Sequence, residues 1–174
     1  ELSQRKAIEL NPDYANAHSN LGTTLQDLGK LEEAELSQRK AIELNPNLVE
    51  AYSNLGNVLK DLGKLEEAEL SQHKAIELNP DYANAHSNLG SILQDLGKLQ
   101  EAEFAYGKAI ELNPDNTETS FKLSLLKLLQ GDYKNGLELY ESRFQQQKII
   151  LHSKPNIKEL ANKELQKGEK LLIV

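Results

Sequence analysis

The sequence predicts an all-α solenoid of antiparallel helix pairs, and three observations lead there. Proline recurs at positions 12, 46, 80 and 114, each time 34 residues on. The segments that open at Asn11, Asn45 and Asn79 repeat most of their residues in register. Inside each, apolar residues fall at helical spacing on both sides of a glycine. A fixed period of this length marks stacked units that bury their apolar faces against their neighbours, not one wrapped core.

Residues 1–10 match Glu35–Leu44 almost letter for letter, so they read as the second helix of a truncated repeat. The chain begins mid-pattern and without Met, so an excised piece of a longer array is the expectation. Residues 11–44 then read as two helices. Pro12 stops the preceding helix because it lacks an N–H and clashes with the turn before it. Asp13 is placed to cap the next helix. Ala17, Leu21, Leu25 and Leu28 share one face of that helix, and Gly29 ends it in the left-handed conformation. Glu32 and Glu33 sit in the first turn of the second helix, where the dipole favours negative charge. Leu31, Ala34, Ala41, Ile42 and Leu44 supply its buried side. Gly22 and Ala34 are small where two helices must approach closely.

Residues 45–78 and 79–112 follow the same plan. The first two units differ at nine positions, eight of them in the first helix or its approach, among them Tyr14/Leu48, Asn16/Glu50 and His18/Tyr52. If the first helices line the inner surface, variety concentrates there, through drift at exposed sites or tuning for a ligand. Residues 113–146 keep the period but lose the consensus. Gly90 gives way to Ser124, Leu93 to Lys127, Ala102 to Gly136 and Ala109 to Arg143. Phe121, Leu125, Leu128 and Leu129 replace Ser87, Ser91, Gln94 and Asp95, so a polar face turns apolar and is expected to be a covered docking surface. The chain's own tail, a following domain or another copy are the candidates to cover it.

The pattern stops at Gln147. Residues 148–152 have extended character, Pro155 breaks any helix, 157–165 suit a short helix, and Leu171–Val174 read as a buried strand. Residues 147–174 therefore read as a linker and the start of a missing α/β domain. The formal net charge is −7, divided as −11 over residues 1–142 and +4 over 143–174, which sets a boundary near Arg143. An acidic array argues against nucleic acid as partner. There is no cysteine for a disulfide framework or thiolate metal site, no apolar run long enough to span a bilayer, and no signal-peptide pattern. A cytoplasmic setting without membrane contact is the expectation.

Leu21-Gly22, Gly29, Ala34, Ala41 and Pro46, with their counterparts at 55–80 and 89–114, resemble the tetratricopeptide repeat over residues 1–146. The resemblance implies a right-handed superhelical solenoid whose concave groove binds protein or peptide. Two family aromatics are altered. The early one is His18, Tyr52 and His86, and the later one is Gln38 and Gln72, returning as Tyr106 and Tyr140. The tail, with Tyr140-Glu141-Ser142-Arg143 and Leu165–Val174, resembles the junction in bacterial proteins where such repeats precede a glycosyltransferase-like domain. The usual Trp-x-Gly is absent there, with Leu160 and Asn162 near its place.

By the family's geometry Asn20, Asn54 and Asn88 face the groove one rung apart, matching the asparagine ladder of repeat-containing protein O-GlcNAc transferases. An amide that donates and accepts can hold a peptide backbone without reading side chains; the alternative is that each Asn bonds the adjacent helix. Ser19, Ser53 and Ser87, with Thr23, Asn57, Ser91 and Glu50, would line the same groove. Lys122 ends the ladder in the fourth unit. His18 and His86 are too far apart to share a metal, and no phosphate loop or nucleophile motif is present. No cofactor, metal or catalytic residue is expected within the chain. The reading is a non-enzymatic peptide-binding module that recruits acceptors for a larger protein. A scaffold that self-associates, including end to end, is the alternative.

Overall fold

A computed structural model of the chain describes residues 2–146, in which the backbone is helical apart from short turns. The helices are α1 (Leu2–Leu10), α2 (Ala15–Asp27), α3 (Leu31–Leu44), α4 (Val49–Asp61), α5 (Leu65–Leu78), α6 (Ala83–Asp95), α7 (Leu99–Leu112), α8 (Thr117–Leu129) and α9 (Tyr133–Gln146). The extended segment, short helix and strand expected in 147–174 lie outside the described residues.

Each pair (α2/α3, α4/α5, α6/α7, α8/α9) packs along its length, and each second helix packs on the first helix of the next pair. The first helices also touch one another in order, α2 to α4 to α6 to α8, forming a continuous layer. Leu25, Ala34 and Val58 meet in one apolar cluster, Leu59, Ala68 and Ile92 in the next, and Leu93, Ala102, Tyr106 and Leu126 in the third. The core is thus a chain of small clusters, each shared between neighbouring units.

Close approach within a pair has one cause. A Cβ on Gly22 would lie 2.6 Å from Gln38 Nε2, one on Gly56 2.5 Å from Gln72 Nε2, and one on Gly90 2.6 Å from the Tyr106 ring. The glycine makes room for whatever large side chain the second helix presses onto the first. The turn between the helices is equally uniform. Gly63 has φ 75°, donates to the Lys60 carbonyl, and lets Lys64 N–H reach Leu59 O at 2.8 Å. This left-handed cap satisfies carbonyls that would otherwise end the helix unpaired.

Two expectations are corrected. Asp13 does not cap α2. That helix begins after Tyr14, which makes no side-chain cap bond, and Asn11 Oδ1 instead accepts from Asp13 N–H. The side chain one residue before the proline thus closes the turn, as it does at Asn45 and Asn79. Leu28 is not part of the buried face; it sits past the end of α2, 56 % exposed.

Candidate functional site

The first-helix layer carries the residues singled out in the sequence, and a register rule joins them. Asn88 Nδ2 donates to Ser53 Oγ at 3.1 Å. Asn54 Nδ2 donates to Ser19 Oγ at 3.4 Å and to Thr23 Oγ1 at 3.3 Å. About two turns further along, Gln26 Nε2 donates to Asp61 Oδ2 at 2.7 Å, and Lys60 Nζ pairs with Asp95 Oδ2 at 3.4 Å. Except for the bond to Thr23, each joins residues 35 apart, one repeat plus one residue. That step follows from equivalent helices laid side by side with a constant offset.

Asn54 and Asn88 are half-buried and Asn20 is exposed. The amide hydrogens of Asn54 and Asn88 are directed to the preceding helix, and their Oδ1 atoms make no hydrogen bond among the described residues. Each therefore offers an oriented acceptor. Thr23, Asn57, Ser91 and Glu50 lie exposed or half-buried on the same helices. Ser91 Oγ accepts from the Tyr106 hydroxyl at 3.0 Å.

Ser19, Ser53 and Ser87 do not line an open groove. All three are buried, at 5 %, 2 % and 5 % exposure. They lie between neighbouring first helices, where their hydroxyls receive the next helix's asparagine or, for Ser87, meet Thr119 Oγ1 at 2.9 Å. Their carbonyls are also used: Ser19 O and Ser53 O accept from Gln38 and Gln72 Nε2, both at 2.9 Å. The glutamines are fully buried, and Oε1 of each has no partner among the described residues. Tyr106, at the same place one unit on, bonds its hydroxyl, and burial pushes its pKa up.

The expected apolar docking surface is divided. Phe121 is half-buried against Tyr140, with ring centroids 5.8 Å apart, and Leu128 lies over Gly136, where a Cβ would come within 2.8 Å of it. Both belong to the interior of the last pair, where Gly136 admits Leu128. Leu125 and Leu129 remain outside, at 45 % and 68 % exposure. Lys122 pairs with Glu118 at 2.8 Å.

The second-helix layer is stitched by charge. Glu35 receives Lys64 at 2.7 Å and Arg39 at 2.8 Å, which hold its carboxyl below the usual range. Glu69 receives Lys98 at 2.8 Å, raising that lysine's pKa. At the next rung the lysine position is Asp132, and Glu103 instead receives Lys127 at 2.6 Å. His18 and His86 donate Nε2–H to the carbonyls of Pro12 and Pro80 at 2.9 and 2.8 Å, fastening the turn to its helix. Among the described residues no group of three or more acidic or histidine side chains is arranged for a metal ion, and no helix is long and apolar enough to cross a membrane.

Stacked helical hairpins with a continuous first-helix layer define a helical-repeat protein. Sequence profiles described as tetratricopeptide repeat match residues 4–35 and 83–116, and one described as TPR repeat matches 24–63 and 56–97. Together they span well over half of the chain, which belongs to the tetratricopeptide repeat family. Among curated proteins no sequence matches. Similar solved structures include a crystal structure of MamA, at 24 % identity and TM-score 0.72, covering 83 % of this chain and 85 % of that one. A thermophilic TPR protein of Thermus thermophilus aligns at 24 % identity and TM-score 0.76, covering 86 % and 82 %. The first TPR of Spaghetti bound to the HSP90 peptide SRMEEVD aligns at 27 % identity and TM-score 0.66, covering 68 % and 96 %.

Proposed function

We propose that the chain is a protein-interaction module that holds an extended peptide segment in a concave groove lined by α2, α4 and α6. The carrying observation is the free Oδ1 of Asn54 and Asn88, fixed in direction because their amide hydrogens are tied to the preceding helix. Acceptors on successive rungs, about 10 Å apart for packed helices, match every third residue of an extended chain rising about 3.3 Å per residue. The ligand presents hydrogen-bond donors to them, a backbone N–H or a side-chain donor. Asn20, Thr23, Asn57, Ser91 and Glu50 complete the surface. A TPR structure similar to this chain is bound to an HSP90 peptide, which supports peptide capture by this fold.

The array further serves, on this reading, to recruit acceptors to a larger cytoplasmic protein, a glycosyltransferase by the resemblance of residues 140–174. A right-handed superhelix gives the groove its concavity. A peptide-array screen on the chain and on an Asn20→Ala/Asn54→Ala/Asn88→Ala variant tests the module. Binders lost in the variant support it, and binders retained in full contradict it. A second reading, self-association through α8, is favoured by the exposure of Leu125 and Leu129. Sedimentation of the chain against Leu125→Asp tests it.

A further inference from the structure

The second helices carry an apolar stripe that the groove does not use. Leu2, Leu36, Leu70 and Phe104 stand at one repeat position, 34 residues apart, and are 86 %, 69 %, 69 % and 78 % exposed. Their exposure is built in. Ala34 and Gln38, two of the three fully buried residues of α3, lie two positions before and after Leu36. Two positions turn a helix by about 200°, so Leu36 faces the opposite way. The same holds for Leu70 between Ala68 and Gln72, and for Phe104 between Ala102 and Tyr106. At the next repeat the position is Glu138, and the stripe ends.

Its two flanks carry opposite charge. One turn before Leu36, Leu70 and Phe104 lie Glu32 and Glu33, Glu66 and Glu67, and Glu101; one turn after Leu2, Leu36, Leu70 and Phe104 lie Arg5 and Lys6, Arg39 and Lys40, Lys74, and Lys108. We propose that this stripe is an isologous interface with a second copy of the chain. A two-fold contact needs a surface that complements itself. With the axis along the stripe, the acidic flank of one copy meets the basic flank of the other, and Leu36 meets Leu36, Leu70 meets Leu70. An axis across the stripe sets acid against acid.

The flanking pairs within one chain, such as Arg39–Glu67 and Lys74–Glu77, are solvent-exposed and contribute little, so exchanging partners across the interface is inexpensive. Four exposed side chains per copy form a small apolar contact, at or below the lower end for specific complexes even when fully covered, so the dimer is weak and concentration-dependent. It leaves the first-helix layer open for ligand.

The chain has no cysteine, so single-cysteine variants report contact directly. Leu36→Cys and Leu70→Cys are each expected to cross-link to themselves at high protein concentration, with little mixed product when the two are combined. Sedimentation should show a monomer–dimer shift that raised salt weakens and that Leu36→Asp/Leu70→Asp/Phe104→Asp abolishes with helicity unchanged. A monomer at every concentration overturns the proposal, as does predominant Leu36–Leu70 cross-linking. So does a stripe-dependent binding to phosphatidylcholine–phosphatidylglycerol vesicles by a chain that stays monomeric in solution, which would make the stripe a lipid contact.

Discussion

Asn88 reaches back one repeat plus one residue to Ser53, donating its side-chain amide to the buried hydroxyl at 3.1 Å. The bond does two things at once: it joins α6 to α4, and it sets the direction of the asparagine's remaining acceptor. Ser53→Ala is expected to destabilise by about 1 kcal/mol, the net value of one such bond. It should also free the Asn88 amide to rotate. In a denaturation double-mutant cycle, Ser53→Ala and Asn88→Ala should fall short of additivity by most of that amount.

The glutamines beneath the same layer are a weak point. Gln38 and Gln72 lie fully buried with an Oε1 unpaired among the described residues, whereas Tyr106 fills the equivalent site and bonds its hydroxyl to Ser91. An unsatisfied buried acceptor costs about 1–3 kcal/mol. Gln72→Tyr should therefore raise stability, by about 1 kcal/mol once the larger ring is fitted against Gly56. A urea midpoint below wild type would contradict this.

The turn glycines act through backbone conformation alone. A Cβ on Gly63 would meet nothing within 4 Å, yet φ there is 75°. Gly63→Ala should cost about 1–2 kcal/mol from left-handed strain, with no change in the urea m-value.

Stability should fall on acidification in a defined way. Glu35 is held below its usual pKa, first by the Lys64 hydrogen bond, so its contribution is present above the unfolded value of 4.5 and is lost as pH falls through the lower folded value. Glu35→Gln should flatten the stability profile below about pH 4.5, and an unaltered slope would remove Glu35 from the account.

Where the repeat degenerates, charge has been rewired. Lys98 becomes Asp132 one unit on, and the buried Leu93 becomes Lys127, which reaches both Glu103 and Asp132. Restoring either position alone should destabilise, because Lys127→Leu leaves Glu103 without its cation. Lys127→Leu with Asp132→Lys should recover most of the loss in thermal melts. Additive losses would show the two sites to be independent.

Much of the fold was legible because the period is strict. Pro12, Gly29 and Ala34 act through backbone geometry and size, and such roles are visible in one sequence. The neighbour relations were not. Ser19 is small and polar, which suits either an open groove or a tight contact between adjacent first helices, and the 35-residue offset that decides between them is a property of helix packing. Phe121 and Leu128 looked surface-bound because their counterparts are polar, but Tyr140 and Gly136 draw them inward. The Leu36 stripe is written in the same period as the core, and its outward face appears only once Ala34 and Gln38 are known to be buried.

Two surfaces with separate tasks make the central claim, and one peptide-binding titration tests it. A fluorescent peptide taken from an array screen should bind the wild type and the Leu36→Asp/Leu70→Asp/Phe104→Asp variant alike. It should bind Asn54→Ala/Asn88→Ala at least tenfold more weakly, a loss of about 1.4 kcal/mol, with helical circular dichroism preserved. Equal affinity for all three proteins would contradict the ladder as the site of capture.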